Sequence, residues 1–566
     1  MPQTFDEQYV NLAEAIHATC LANLEKRAFT FVSDGELAET HMSYGELDEK
    51  GRAVAAYLQQ FTRPGDRAIL LYPPGLDALP GFIGCLYAGV IVVPAIPPRP
   101  NQAATDFFRI IEEVTPAAIL TNSAFLPFAQ MLSAETPDLR VLATDQVDTG
   151  LAANWHLPEL SGEDVAILHF TSGSTKRPRG IKFSHKNILT FIGTFVKEAP
   201  ARGMELPPSW TVVSWLPYYT GLGLAAGALA PLLLGQYSVL MSPVEFTARP
   251  VRWLRLMTRY KASYSGGPNF GYQFALDRIT PEECDGLDLS NWRMAYAGSE
   301  PIRPGLLRAF IEKFAPYGFK AQFSTGYGLS ESMLSGAVHI GDVISLTVDR
   351  LALQQGNIVE VDPGQPEALT LCSNGQFAKN ITGRIINPDT LEECSTDEIG
   401  EIWLKGSNFP SGYWNHPDET KTVFENYLPD GSGPYLRTGD LGFFRGGELY
   451  IAGRLKDLII LNGRNYWAQD IEQVAEKAHA DLQAGSSAAF GITVGEEEKL
   501  VLALELKPTA TDPDVEAISQ KVRLAVGEEF QIPVYSVVLV APNSIPRTTS
   551  GKVQRYQAKL SYLEQL

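Results

Sequence analysis

Hydrophobic positions fall into two textures along this chain. Short runs of aliphatic and β-branched residues, Arg67-Ala-Ile-Leu-Leu-Tyr72, Val90-Ile-Val-Val93, Val165-Ala-Ile-Leu168 and Tyr237-Ser-Val-Leu-Met241, alternate with longer amphipathic stretches such as Tyr44 to Phe61. Continuous apolar runs read as buried strands and amphipathic stretches as helices. The alternation therefore predicts βαβ units, parallel sheets and ligand sites at the carboxyl ends of strands. From about Leu391 onward, glycine-rich turns separate short strands at Gly400–Leu404 and Gly447–Ile451, which predicts a β-rich subdomain over about 391–455. Beyond Gly453-Arg454 the remaining residues carry their own strand and helix signals, Ala488 to Thr493 and Leu500 to Leu506 among them, enough for a small α+β domain. The expected architecture is α/β: a large N-terminal domain, 1–455, of two βα subdomains plus the β-rich part, then a small α+β domain, 456–566.

One apolar stretch needs separate treatment. Trp215 to Gly235, WLPYYTGLGLAAGALAPLLLG, approaches the length of a membrane span, but Pro217, Pro231 and its glycines interrupt a continuous helix. A buried strand and helix of an α/β domain are expected there instead, with no membrane span. At 566 residues the chain exceeds one ordinary core. Its net charge of -19 offers nucleic acid no general attraction, so a polyanionic ligand needs a local cationic site. Five cysteines, Cys20, Cys85, Cys284, Cys372 and Cys394, form no CxxC pair, which argues against a disulfide framework or structural zinc. The N-terminus shows no basic segment followed by an apolar one, and a reduced cytoplasm is the expected location.

Candidate chemistry begins at Thr171-Ser-Gly-Ser-Thr-Lys-Arg-Pro-Arg-Gly180, which follows the apolar run Ala166 to Phe170 and precedes a helix expected near Lys186. Strand, hydroxyl-rich turn and cations make a polyphosphate cradle, since backbone N–H groups and hydroxyls donate to phosphate oxygens. It is not a Walker A loop, because Pro178 stands where the second glycine belongs. Alone, the segment is equally a surface turn.

Further segments follow in order: Ala297-Gly-Ser-Glu-Pro301, Thr325-Gly-Tyr-Gly-Leu-Ser-Glu331, Tyr435-Leu-Arg-Thr-Gly-Asp440, Gly453-Arg-Leu-Lys-Asp-Leu458 and Arg547-Thr-Thr-Ser-Gly-Lys552. Together with the 171–180 loop they resemble the adenylate-forming superfamily of acyl-CoA ligases, peptide-synthetase adenylation domains and luciferases, over nearly the whole chain. The resemblance implies ATP and Mg²⁺ as cofactors. It implies that Thr171, Ser172, Gly173, Ser174 and Thr175 hold the β- and γ-phosphates with Arg179 supplying charge, and that Glu331 with Thr171 positions the metal. Lys176 stands where many relatives carry glycine. Arg179 stands where lysine is usual, and arginine can grip phosphate bidentately. Asp440, a two-oxygen acceptor, would take both ribose hydroxyls with Arg454 assisting. Gly298, Ser299, Glu300 and Pro301, with Thr325, Gly326, Tyr327 and Gly328, would wall the adenine and ribose. Lys552 matches the adenylation lysine, and Lys456 falls at the hinge about which a mobile C-terminal domain turns.

Three features are similar to fatty acyl-AMP ligases in particular. They are Val93-Pro-Ala-Ile-Pro-Pro98, Ser242 to Trp253 with Ser265-Gly-Gly-Pro-Asn-Phe270, and Asn462-Gly-Arg-Asn-Tyr-Trp-Ala-Gln-Asp-Ile-Glu472. An extra stretch, about Val343 to Leu369, lies between Glu331 and Gly375; its Ile344, Leu346, Leu351, Leu353, Ile358 and Val359 predict packing on the body. Such an insertion accompanies poor CoA use in that group, whose acyl acceptor is a phosphopantetheinylated acyl carrier protein. No segment of this chain resembles a carrier, so a separate protein is the expected partner. The fatty acid would lie in a tunnel lined by the apolar 214–234 region, Tyr219, Thr220 and Gly221 included, and by Gly266, Gly267, Pro268 and Asn269, glycines making room for methylenes. Thr220-Gly221 stands where the group usually has His-Asp.

Three rival readings remain. A fatty acyl-CoA ligase fits the same motifs, as does a non-catalytic protein that keeps only the acyl or nucleotide pocket. Gly221-Leu-Gly-Leu-Ala-Ala226 with Glu245 downstream fits the dinucleotide pattern of an NAD(P) oxidoreductase, although Pro217 to Thr220 separate it from the preceding strand.

Overall fold

The computed structural model describes residues 5–98, 104–134, 136, 138–170, 178–204, 206–333, 336–365, 367–461, 464–495, 497–547 and 553–564. Two large sheets form the body. A six-stranded sheet runs in the spatial order Arg140–Ala143, Ala118–Thr121, Arg67–Leu70, Ile91–Pro94, Val165–Phe170 and Gly180–Ser184, parallel except for its last pair. A nine-stranded sheet has a parallel centre, Arg27–Val32, Tyr237–Met241, Thr211–Ser214, Tyr264–Gly267, Met294–Ala297 and Gln322–Gly326, flanked by antiparallel edges. Their central strands are the continuous apolar runs of the sequence, as burial on both faces requires.

Helices cover the sheets, and local chemistry fixes them. The amphipathic Tyr44 to Phe61 stretch forms the helix Tyr44–Leu58, which opens with a capping box: the Ser43 hydroxyl accepts from Glu46 N at 3.1 Å and the Glu46 carboxylate accepts from Ser43 N at 2.8 Å. It packs on the helix Ala78–Ala88, where a Cβ on Gly51 would come within 2.4 Å of Ile83. The largest apolar core joins these helices to side chains from both sheets.

Trp215 to Gly235 is buried or half-buried throughout. It leaves a strand, turns at Pro217–Thr220, and continues as a π-helix, Gly223–Leu229, and a short α-helix, Ala230–Leu233. Among the described residues no helix is long and apolar enough to cross a membrane. The dinucleotide reading also falls here. Gly223 serves the turn, where a Cβ would sit 2.1 Å from the Pro217 carbonyl, and Glu245, the supposed ribose acid, is ion-paired with Arg252.

A four-stranded antiparallel sheet, Ile381–Ile386, Gly400–Gly406, Leu436–Arg445 and Glu448–Arg454, forms the β-rich part and begins at Ile381 rather than near Leu391. The 343–369 stretch folds into a hairpin whose second strand runs a few residues past it: Ser345–Asp349 pairs with Ala368–Cys372, and a short helix, Arg350–Gln354, lies between them. Val348, Leu353 and Ile358 are buried against Leu441, Phe443 and Tyr450, and Leu346 partly so. Ile344, Leu351 and Val359 are exposed, so only one side of the insertion packs on the body. The last described strands, Leu482–Val494, Glu497–Leu506 and Val534–Val540, enclose a separate core with the helices Ala468–Lys477 and Val515–Phe530.

Candidate active site

A cleft of about 2950 Å³ runs between the large body and the C-terminal unit. That is several times the room a drug-sized ligand needs, enough for more than one reactant.

Asp440 and Arg454 face each other across adjacent strands in direct register. Arg454 Nε donates to Asp440 Oδ1 at 2.6 Å, and the Tyr327 hydroxyl donates to Oδ2 at 2.9 Å. The carboxylate is nearly buried, and each of its oxygens keeps one lone-pair direction for a further donor. Gly439, at φ +68°, supplies the turn that presents Asp440, and the Thr438 hydroxyl accepts from Asp440 N at 3.1 Å. Burial, with the Asp440 charge beside it, pushes the Tyr327 phenol well above its ordinary range. Tyr327 therefore reaches the cleft as a neutral donor that fixes Asp440.

Glu331 lies in the 3₁₀ turn Ser330–Ser332. Its Oε1 accepts from the Tyr413 hydroxyl at 2.9 Å, and the Arg179 guanidinium lies 4.4 Å above the Tyr413 ring. Among the described residues Arg179 Nε is buried without a hydrogen-bond partner, which leaves it free for an anion. Tyr413 thus holds both charged groups, and the sequence reading missed it. The available signal was the aromatic after Gly412, whose φ of +127° only glycine adopts readily. Glu401 was missed too. It is 2% exposed and accepts from Arg437, the Trp403 indole and Gly439 N, bracing the turn that carries Asp440.

Among the other predicted residues, Ser299, Glu300, Pro301, Gly326, Tyr327 and Gly328 line the cleft, as do Arg179, Glu331, Asp440, Arg454 and Lys456. Ser299 adopts φ +72°, and Glu300 accepts from Phe270 N at 3.3 Å. Gly298 and Thr325 are not among the residues that line the cleft; the buried Thr325 hydroxyl donates to the Ser373 carbonyl at 2.8 Å. Tyr219, Thr220, Gly221, Pro268 and Asn269 line the cleft. The Thr220 hydroxyl closes its own turn, donating to the Pro217 carbonyl at 2.7 Å. Gly266 and Gly267 do not make room for methylenes. A Cβ on Gly266 would strike the Tyr296 backbone at 2.1 Å and one on Gly267 the Trp215 ring at 2.5 Å, so they are glycine for packing behind the wall. Asn269 ties the wall together, its Nδ2 donating to the Pro301 carbonyl at 2.6 Å.

Lys456 follows Arg454 in the 3₁₀ turn Leu455–Asp457, and burial, with Arg454 adding to it, lowers its ammonium below the ordinary lysine range. Thr171, Ser172, Gly173, Ser174, Thr175 and Lys552 lie outside the described residues. Pro178 and Arg179 after the first group, and Arg547 and Val553 on either side of Lys552, line the same cleft. Among the described residues no group of three or more His, Cys, Asp or Glu could hold a metal ion. A lone carboxylate, Glu331, fits Mg²⁺, which is usually bound by one or two carboxylates together with substrate phosphates.

Residues 17–414 match the family model described as AMP-binding enzyme. The chain belongs to the AMP-binding enzyme family. Residues 456–566 match a second model, described as Disco-interacting protein 2-like, AMP domain. The chain is 38% identical to the medium-chain-fatty-acid--[acyl-carrier-protein] ligase JamA of Moorena producens, over 95% of this chain and 93% of that protein. It is 33% identical to the long-chain-fatty-acid--AMP ligase FadD32 of Mycolicibacterium smegmatis, over 96% and 92%. Among solved structures it is similar to the fatty acyl-adenylate ligase from L. pneumophila in complex with acyl adenylate and pyrophosphate, with a TM-score of 0.76 at 33% identity over 98% of this chain and 97% of that one. The α/β fold of this AMP-binding enzyme is the adenylate-forming one.

Proposed function

We propose that this AMP-binding enzyme activates a fatty acid with ATP and passes the acyl group to the phosphopantetheine thiol of a separate acyl carrier protein. In the first half-reaction a carboxylate oxygen attacks the α-phosphorus, the bond to the bridging oxygen breaks, and pyrophosphate leaves. In the second, the thiol sulfur attacks the acyl carbonyl, the thiol gives up its proton and AMP departs. The observation that carries the reading is the pairing, in one cleft, of a ribose-type acceptor, Asp440 held by Arg454 and Tyr327, with an anion-type pair, Glu331 and Arg179 held on Tyr413.

Asp440 accepts from the nucleotide's hydroxyls and fixes its position. Arg179 neutralises phosphate charge, which is most of what catalysis requires when two anions combine. Glu331, with Thr171, would hold Mg²⁺, which when bound supplies further neutralisation of the phosphates. Lys552 is assigned to bridge the carboxylate and α-phosphate, and Lys456 to the hinge that brings it in and out. The names of JamA and FadD32 support a fatty acid as substrate, and that of JamA a carrier as acceptor.

The test is direct. The protein is incubated with ATP, Mg²⁺ and a panel of fatty acids, then with CoA or with a phosphopantetheinylated carrier, and the acyl products are identified. Acyl-AMP followed by acyl-carrier is expected; efficient acyl-CoA formation would overturn the carrier assignment, and no acyl-AMP at all would overturn the enzyme. Lys552→Ala is expected to slow pyrophosphate release at least 100-fold, on the order of a lost transition-state contact, with ATP binding retained. Unchanged release would remove the role given to Lys552.

A further inference from the structure

Tyr413 stands on a three-residue segment, 412–414, that pairs with the edge of the six-stranded sheet. Lys182 N donates to the Gly412 carbonyl at 3.0 Å, Trp414 N donates to the Gly180 carbonyl at 2.7 Å, and Ile181 and Tyr413 lie opposite each other. The pairing starts one residue after Arg179, and the Tyr413 ring lies beneath that guanidinium. So short a ladder is a weak tether for a side chain that holds Arg179 on its ring and Glu331 on its hydroxyl.

The next two residues fasten it. Asn415 turns the chain through the left-handed region, at φ +57°, which asparagine tolerates better than most residues. Its Nδ2 donates to the Glu113 carbonyl at 3.2 Å, near the end of the helix Thr105–Val114. His416 follows, with Nε2 3.3 Å from Glu113 Oε1 and Nδ1 3.7 Å from Glu419 on the next helix, Pro417–Phe424. Glu113 Oε1 is buried and makes no well-formed hydrogen bond among the described residues, which leaves the nearby imidazole to offset its charge. His416 is in turn joined to Tyr413. Tyr413 N donates to the Thr420 hydroxyl at 2.9 Å, and that hydroxyl donates to the His416 carbonyl at 2.7 Å. Glu113 and His416 are not among the residues that line the cleft, so neither is placed to touch a reactant.

We propose that His416, paired with Glu113, is a positioning residue for the phosphate end of the site: it clamps the 412–416 segment to the helix Thr105–Val114 and so keeps Tyr413 between Arg179 and Glu331. The inference rests on the roles given to Arg179 and Glu331 in the adenylation reading above. Loosening the clamp displaces the two charged groups together, and the loss falls on the step in which phosphate charge is neutralised. Binding of the fatty acid is spared, because Tyr219, Pro268 and Asn269 stand on other segments of the chain.

The experiment measures pyrophosphate release by the full chain with a fatty acid, ATP and Mg²⁺, each substrate varied in turn. A misplacement of a fraction of an ångström corresponds to about tenfold in rate, so His416→Leu and Glu113→Gln are each expected to lower kcat by about that factor, with KM for the fatty acid unchanged. Because the two residues act as one clamp, the double variant is expected to be no slower than the slower single one. His416→Gln, whose amide can still donate to Glu113, retains most of the native kcat. Native kcat in His416→Leu or in Glu113→Gln overturns the proposal. So does a double variant whose losses multiply to about a hundredfold, a rise in the fatty acid's KM that matches the fall in kcat, or a His416→Gln as slow as His416→Leu. Glu113→Gln changes almost no volume and decides the matter if His416→Leu does not fold. Arg179→Met separates the two levels: if it keeps native kcat, the role of Arg179 fails and this inference with it, whereas a slow Arg179→Met beside a native His416→Leu refutes the clamp alone.

Discussion

Removing the phenol oxygen of Tyr413 takes from Glu331 its 2.9 Å hydrogen bond while keeping the ring beneath Arg179. A hydrogen bond to a charged group contributes about 1.5–3 kcal/mol, so Tyr413→Phe is expected to lower kcat for acyl-AMP formation about tenfold or more with little change in the denaturation midpoint. A steady-state pyrophosphate assay with a parallel melt checks both, and an unaltered kcat would mean that Glu331 needs no such support. The residue scale is also where the sequence was most and least informative. Asp440, Arg454 and Glu331 could be singled out because each lies in a motif with a fixed local spacing. Tyr413 and Glu401 could not, because their role comes from contacts 82 and 38 residues away in sequence, with Glu331 and Gly439.

Elements divide in the same way. Continuous apolar runs became strands because burial on both faces demands them, and Tyr237–Met241 was read to the residue. The order of those strands was not legible. Arg27–Val32 lies beside Tyr237–Met241, a pairing set by closure of the whole sheet. Nor was the purpose of the glycines in Tyr264–Gly267. Their spacing resembles a wall opened for substrate, whereas the structure uses them to let the strand approach Tyr296 and Trp215. Gly267→Ala puts a methyl 2.5 Å from the Trp215 ring, itself stacked on Phe246 with centroids 4.0 Å apart. Overpacking of this kind costs about 1–3 kcal/mol, so a lower urea midpoint is expected. A midpoint equal to the parent's would show that Trp215 has room to retreat.

At the scale of the molecule, the insertion meets the C-terminal unit through Arg350, which donates to Glu529 at 2.5 Å and lies 5.2 Å from the Phe530 ring centroid. Beside this contact the carboxyl of Asp470 is pushed up to about 6, by burial first, with Arg350 opposing and Glu472 and Glu529 adding to the rise. The folded protein therefore holds a proton that the unfolded chain has released between pH about 4 and about 6, so this group's contribution to stability declines as pH rises through that window. Asp470→Asn removes the buried charge and is expected to stabilise the protein at pH 7 by on the order of 3 kcal/mol, with the gap closing below pH about 4. Melting curves across the window check the sign, and a gap that widens on acidification would reverse the assignment. The four-stranded sheet ends at Arg454, and the turn holding Lys456 starts at the next residue. With the hinge proposed at Lys456, a swing of the smaller unit turns the chain beyond that residue while Arg454 and Asp440, paired within the four-stranded sheet, keep their place. If Asp440 holds the ribose as proposed, the nucleotide stays with the body through such a swing, and an adenylate made in one arrangement need not be let go before the next is reached.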